Sequence, residues 1–404
     1  MPQSILNSTP CQNGTEPSQD NPADLACLNY AFGVPDCQAL YKVIPEDFVV
    51  EEQIAFELSG EGEHLWCWVE KRGENTDWVL QQLAKWASVS PSKIGVAGQK
   101  DRHAVTRQWF SIQLPGLVNP KVDEFRLNNV TILKTTRHQR KLQTGGLSGN
   151  RFTVTLRNIT CNAAETDVIE TLQARLQKIQ AEGVPNYFGE QRFGIHGRNI
   201  KQGEKLLVGE LPKVKRNQKS MYLSAIRSWM FNCLLNERIK QGSWNRLLPG
   251  DILQLEGSNK WFVDDQSEGL SERVMVQDIH PTGALFGKGD LPTKMVAREI
   301  EDAVGDGFKS WVSGLVEYGV DQDRRALRLL PKDFEWQWVM DSSEEDEALH
   351  EAFSVLEVDG WKAAPVLRLS FSLRSGSYAT MVMRELIQGS DYQAVLKDRQ
   401  RVHS

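Results

Sequence analysis

The sequence predicts an α+β protein in which a second module interrupts the first. Two observations carry that reading. Up to about residue 180, strands joined by turns alternate with amphipathic helices, and after a stretch of different texture the strand pattern returns near residue 365. The 404 residues suit about two to three domains at roughly 150 residues each, so each module can bury its own core. A composition of 40% hydrophobic and 25% charged residues excludes global disorder, collagen and coiled coil.

Taken in order, residues 1–25 are polar and rich in Pro, Asn and Gln, too poor in apolar side chains to offset the entropy of ordering; they are expected to form a loose arm, with order beginning near Ala39. Phe48–Phe56 and His64–Val69 read as two strands joined by the turn SGEGE. Thr76 can cap a helix whose Val79, Leu80, Leu83, Ala84 and Ala87 share one face until Pro91. A short apolar strand then gives way to a polar loop and a strand beginning near Gln108. The turn QTGGLSGN leads to an alternating strand, Arg151–Leu156, and Asp167–Gln180 reads as an amphipathic helix.

From Gly183 the texture is dense in Gly, aromatic and basic residues, and Met221–Ile239 is a helix with a broad apolar face. Short strands follow at Asp251–Leu255 and Trp261–Val263, then an acidic stretch, Asp341–Glu351. Pro365–Ser372 is again a strand and Ala379–Ile387 a helix. The expected organisation is therefore an arm over 1–25, a first part of the main module over 26–176, an inserted module over 177–348, and the remainder of the main module over 349–404.

The six cysteines, Cys11, Cys27, Cys37, Cys67, Cys161 and Cys233, show no CxxC pair and read as free thiols. The histidines are scattered without HExxH, so no metal site is expected. No apolar run approaches the roughly 20 residues of a membrane span, and the N-terminus lacks a charged segment followed by an apolar one, so the expected compartment is the cytoplasm.

The net charge of -6 argues weakly against a general nucleic-acid coat, but the charge is uneven. Lys134, Arg137, Arg140 and Lys141 form a stretch without an acid. Between Arg192 and Lys219 the chain also carries Arg198, Lys201, Lys205, Lys213, Lys215 and Arg216 against only Glu204 and Glu210. Solvated surface charge is the plain reading; a basic face for a polyanion is the functional one.

No Walker A loop, no GxGxxG after a strand and no GxSxG elbow occurs, which removes the usual signatures of nucleotide hydrolysis, dinucleotide redox and serine hydrolysis. Chemistry concentrates instead at GQKDRHAVTRQ. Lys100, Arg102 and His103 beside Asp101 favour its charged form, and Gly95 and Gly98 permit close backbone approach. Such a carboxylate can serve as nucleophile or base, or simply be salt-bridged in a surface turn. Aromatic residues stand beside polar groups at Phe48, at Asn150 with Phe152, at Asn186 with Tyr187 and Phe188, and at Tyr378. A base taken out of its stack needs such a face and edge, although each ring could equally be core.

These segments resemble tRNA pseudouridine synthase D. The resemblance rests on PEDFVVEE (45–52), GEGEHLWCWVEK (60–71), IGVAGQKDRHAVTRQWFS (94–111), GGLSGNRF (145–152), GVPNYFGEQRFG (183–194), YLSAIRSWMFN (222–232), GDILQLEG (250–257), RRALRLLP (324–331) and LRSGSYATMVMREL (373–386). It implies a catalytic domain of mixed, mainly antiparallel sheet with flanking helices, interrupted by a family-specific α/β domain. It also implies an isomerase that converts uridine-13 in the D arm of tRNA to pseudouridine, without cofactor or metal and without an obligatory protein partner, as a monomer.

By the same resemblance Asp101 is the catalytic aspartate and Lys42 the cation that orients it, with Lys100 as the alternative; Phe48, Asn150 and Tyr378 contact uracil, and Phe152 packs beside it. Two positions depart from the family pattern: Tyr378 stands where many relatives have Phe, and Arg374 where a Pro is common. Arg137, Arg140 and Lys141, together with Arg192, Arg198, Lys201, Lys213, Lys215 and Arg216, are the expected RNA contacts. Competing readings are a base-flipping RNA-modifying activity of another kind, such as methyl transfer, a catalytically silent RNA-binding or RNA-folding protein, and a glycoside or nucleoside hydrolase pairing Asp101 with Glu51 or Glu52.

Overall fold

The computed structural model describes residues 23–116, 118–161, 168–211, 213–263, 268–340, 349, 365–393 and 395–396. In chain order the first elements are β1 (Cys37–Tyr41), β2 (Phe48–Gln53), β3 (His64–Arg72), α1 (Thr76–Trp86), β4 (Ile94–Val96), β5 (Val105–Gln113), β6 (Val130–His138), β7 (Gly149–Cys161) and α2 (Val168–Glu182). Next come β8 (Val184–Pro185), α3 (Arg198–Leu207), α4 (Arg216–Lys240), β9 (Ile252–Leu255), β10 (Trp261–Val263), α5 (Leu270–Met275), β11 (Ile279–Leu285), α6 (Met295–Gly307) and α7 (Lys309–Glu317). The last are β12 (Asp323–Ala326), β13 (Arg328–Leu329), β14 (Lys332–Val339), β15 (Val366–Arg374), α8 (Ala379–Leu386) and β16 (Gln388–Asp391).

The chain divides into two units: a sheet unit of residues 36–172, 331–376 and 387–404, and a helical unit of residues 1–35, 173–330 and 377–386. The divisions fall after residues 172 and 330 instead of after 176 and 348, because β14 pairs with β15 and so continues the main sheet. Residues 26–35 and 377–386, expected in the interrupted module, and 23–25 of the expected arm group with the inserted one. Order begins well before Ala39: Ala23, Leu25 and Leu28 are buried in the helical unit's core, and the Asp24 side chain accepts a hydrogen bond from the Ala26 N–H. Residues 1–22 of the expected arm, and most of the acidic stretch, lie outside the described residues.

Among the described residues, the sheet unit holds ten strands in the order β14-β15-β7-β2-β5-β3-β6, with β1 joined to β7 and β16, and β4 to β5. The β2–β5 and β1–β16 pairs are parallel and the others antiparallel. Strand period decides which face is buried. Leu65, Cys67 and Val69 alternate along β3 and pack with Phe110 and Ile112 of β5 against Val79, Leu83 and Ala84 of α1. Lys71 is next in that register and is fully buried.

Two local expectations are corrected here. Thr76 does not cap α1, whose N-cap is Asn75 without a side-chain bond; the Thr76 hydroxyl donates to Gln108 Oε1 at 3.1 Å and accepts from the Lys100 N–H. Cys37 and Cys161 are not free thiols but form a disulfide, since the β1–β7 register sets them opposite each other. Cys27, Cys67 and Cys233 are not in a disulfide, and Cys11 lies outside the described residues.

In the helical unit, α4 supplies the core expected of its broad apolar face. Leu223, Ile226, Met230 and Leu234 recur at helical spacing and are buried, each contributing roughly 1.5–3 kcal/mol of apolar burial. The four-stranded sheet β10-β9-β11-β12 lies against it. A Cβ at Gly283 of β11 would stand 2.8 Å from Leu234 Cδ2, so a larger residue there would require the Leu234 side chain to shift.

Candidate active site

The loop between β4 and β5 carries Lys100, Asp101, Arg102 and His103, as the sequence predicts, and it is tied down on several sides. Its entry is fixed by the Lys100 N–H bond to Thr76 Oγ1. Its centre is fixed by Lys71 Nζ, which donates to the Asp101 carbonyl at 2.9 Å and to the Glu74 carbonyl at 2.8 Å. Burial lowers the Lys71 pKa to about 8, opposed by the negative charge of Asp101. At the exit, Arg102 Nε donates to the Gly73 carbonyl. Of the two glycines, Gly95 is needed, since a Cβ there would lie 2.3 Å from the Leu142 carbonyl oxygen, whereas Gly98 has open space.

With the main chain held, the Asp101 carboxylate is 35% exposed and meets Lys42 Nζ at 3.0 Å. Lys42 follows β1 with φ of 58°, a left-handed conformation unusual for a residue bearing a Cβ. Its ammonium, almost wholly buried, lies 4.5 Å above the centre of the Phe48 ring and 3.3 Å from Asp391 Oδ2. Lys100, the alternative partner of Asp101, is engaged elsewhere: its Nζ is 2.9 Å from Glu52 Oε1 and donates to Asn150 Oδ1 at 2.9 Å.

Glu52 is fully buried; desolvation raises its pKa, and the Lys100 charge and the Trp109 N–H bond oppose the rise. Glu51 pairs with Arg107. Both glutamates, like Asp101, are thus held by a basic side chain. Phe48 and Phe152 meet edge to face with centroids 6.1 Å apart; at 3% and 8% exposed, both rings are core. Lys42, Phe48, Asp101 and Phe152 are thus linked by direct contacts in the sheet unit, while Asn150 meets Lys100. Tyr378 belongs to the helical unit, where its ring meets Phe188 at 6.4 Å.

The basic residues have different fates. Arg137 donates to Asn119 Oδ1 and to the Leu114 and Gly62 carbonyls, and Lys141 Nζ to the Ser92 carbonyl, so both brace their own unit, while Arg140 is exposed. Arg192 is half-buried over Phe188 and donates to Ser224 Oγ. Arg198, Lys213, Lys215 and Arg216 are exposed and Lys201 half-buried. Arg198, Lys201 and Lys205 also line a surface pocket of about 540 Å³ with His196, Glu204 and Glu210. Among the described residues, no group of three or more His, Cys, Asp or Glu side chains is placed to hold a metal ion, and no helix is long and apolar enough to cross a membrane.

The sequence profile described as tRNA pseudouridine synthase D (TruD) matches residues 24–213 and 198–386. The tRNA pseudouridine synthase D of Hydrogenovibrio crunogenus is 48% identical over 368 residues, covering 91% of this chain and 98% of the relative. That of Methylococcus capsulatus is 41% identical over 362 residues, covering 89% and 94%. The chain belongs to the tRNA pseudouridine synthase D family. A crystal structure described as a tRNA pseudouridine synthase D from Methanosarcina mazei shares the fold, with TM-score 0.69 at 21% identity over 90% of this chain and 96% of that one. The mixed, largely antiparallel sheet and the helices that flank it are the fold that the TruD resemblance implies.

Three residues of this candidate site escape a reading of the sequence. Lys71 carries a signal, a lysine in phase with the apolar positions of β3. Thr76 stands where a helix cap is expected, which hides its bond to the loop. Asp391 has no local signal: it lies beyond the family profile's match, and only the pairing of β1 with β16 brings it to Lys42.

Proposed function

We propose that this protein isomerises uridine to pseudouridine in tRNA, at position 13 of the D arm, with Asp101 acting on the target nucleotide. The observation that carries the reading is the Lys42–Asp101 ion pair, a partly exposed carboxylate held by a buried ammonium on a loop braced by Lys71 and Thr76. Preorganised charge of this kind acts on a reacting group without reorganising during the reaction.

Among the possible routes we favour the glycal one. The Asp101 carboxylate takes the C2′ proton as the C1′–N1 bond breaks, leaving a glycal and a uracil anion. The anion turns while bound, C5 bonds to C1′ as the proton returns to C2′, the C5 hydrogen leaves to water and N1 gains a proton. Atoms and charge balance without a cofactor. Lys42 orients the carboxylate, Asn150 is the candidate to read the edge of the base, and Phe48 and Phe152 are the candidates to pack beside it. The exposed Lys213, Lys215 and Arg216 are the candidate phosphate contacts. We place the protein in the cytoplasm, as a monomer.

Tritium release from tRNA labelled at uridine C5 tests the reading, with wild type beside Asp101→Asn. Release by wild type alone, without free uracil, is expected. Release by both removes Asp101 from the chemistry. Free uracil makes the protein a hydrolase, and tRNA binding without release in either makes it an RNA-binding protein.

A further inference from the structure

We propose that Asp391 is a positioning residue of this site, acting through Lys42; this rests on the reading of Asp101 given above. The strand register brings Asp391 into place, because β16 runs parallel to β1 with Tyr41 opposite Asp391, and Lys42 is the next residue of the chain. One carboxylate oxygen of Asp391, Oδ1, accepts the Gln393 N–H at 2.9 Å, which leaves Oδ2 turned to Lys42 Nζ at 3.3 Å.

A lysine ammonium has three N–H directions on a stem of rotatable bonds. Here Asp101, Asp391 and the face of Phe48 stand around it, so that Nζ is held from three sides. Taking Asp391 away leaves the stem one anchor fewer.

The second consequence is electrostatic. Lys42 is 7% exposed, and a buried charge without a partner is costly. Whether Asp101 accepts a proton or bonds to the nucleotide, its negative charge is lost in the intermediate. With Asp101 as sole counter-ion, the ammonium would be stranded at that moment. Asp391, itself only partly exposed and outside the reacting atoms, keeps it paired throughout. The carboxylate therefore favours the intermediate over the resting complex, an effect that belongs to the rate and not to tRNA affinity.

The test is single-turnover tritium release from unmodified tRNA labelled at uridine C5, for wild type, Asp391→Asn, Asp391→Glu, Lys42→Met, the Lys42→Met/Asp391→Asn double variant and Asp101→Asn, with tRNA affinity measured on the same preparations. Asp391→Asn is expected to slow release by about 10- to 100-fold at unchanged affinity. Asp391→Glu should restore most of the rate, and Asp391→Asn should cost nothing further once Lys42 is Met. A wild-type rate in Asp391→Asn, or a loss that multiplies with that of Lys42→Met, overturns the proposal. So does an Asp391→Asn variant that no longer folds or binds tRNA, since Asp391 is then structural. Full activity in Asp101→Asn brings down the underlying reading, whereas an inactive Asp101→Asn beside a fully active Asp391→Asn removes Asp391 alone.

Discussion

The buried ammonium of Lys71 donates to the main-chain carbonyl of Asp101 at 2.9 Å. It acts on the loop and not on the carboxylate, so it sets where the side chain of Asp101 starts. Lys71→Met keeps the apolar stem but orphans two carbonyls, those of Glu74 and Asp101. Uridine isomerisation by this variant is expected to fall by about 10- to 100-fold, measured as single-turnover tritium release, with tRNA affinity retained.

The same lysine gives a pH signature. Folded Lys71 releases its proton near pH 8, against 10.5 for an ordinary lysine. Between those values the unfolded chain holds a proton that the folded chain does not, so stability rises with pH across that window. Below it, Lys71 is charged in both states and the desolvation cost is borne in full; the difference amounts to roughly 3 kcal/mol at most. Methionine cannot titrate. The stability of wild type relative to Lys71→Met, read from urea unfolding, should therefore rise from pH 8 towards 10.5, and a flat difference would show that Lys71 stays charged in the fold.

The Cys37–Cys161 disulfide closes a sequence separation of 124 residues and ties β1 to β7 shortly before Lys42. Closing a long loop in the unfolded chain is worth roughly 2–4 kcal/mol. Alkylation of the denatured, unreduced protein is expected to label Cys11, Cys27, Cys67 and Cys233 and to spare Cys37 and Cys161, and reductant should lower the urea midpoint. Labelling of all six would show the pair to be open.

How far the sequence can be read follows from how local each feature is. The Asp101 loop is legible because its charges, its glycines and its two flanking strands are neighbours in the chain. α1 and α4 are legible from apolar spacing alone. Register between distant strands is not: Cys37 meets Cys161, and Lys42 meets Asp391, through pairings that no spacing announces. The module boundary shifts for the same reason. β14 is alternating and short, and only its pairing with β15 assigns it to the main sheet. Residue roles also depend on competition for partners. Lys100 adjoins Asp101 in sequence yet is held by Glu52 and Asn150, leaving Asp101 to a lysine 59 residues earlier.

Lys213, Lys215 and Arg216 are exposed around the start of α4, and among the described residues none of the three is paired with a carboxylate. Side chains with this freedom can neutralise phosphates at little structural cost, unlike Arg137 and Lys141, whose donors hold their own unit together. Replacing the three together by Gln should leave thermal stability almost unchanged, because single surface changes usually fall within about 0.5 kcal/mol. Affinity for tRNA should fall. More specifically, every phosphate that is no longer neutralised takes nearly one unit from the slope of log affinity against log salt, so the slope should shallow by about 2 to 3. Arg137→Gln offers the contrast, with stability expected to fall and the salt slope to stay as it is. A triple variant with the wild-type slope would move the tRNA-binding surface away from this part of the helical unit.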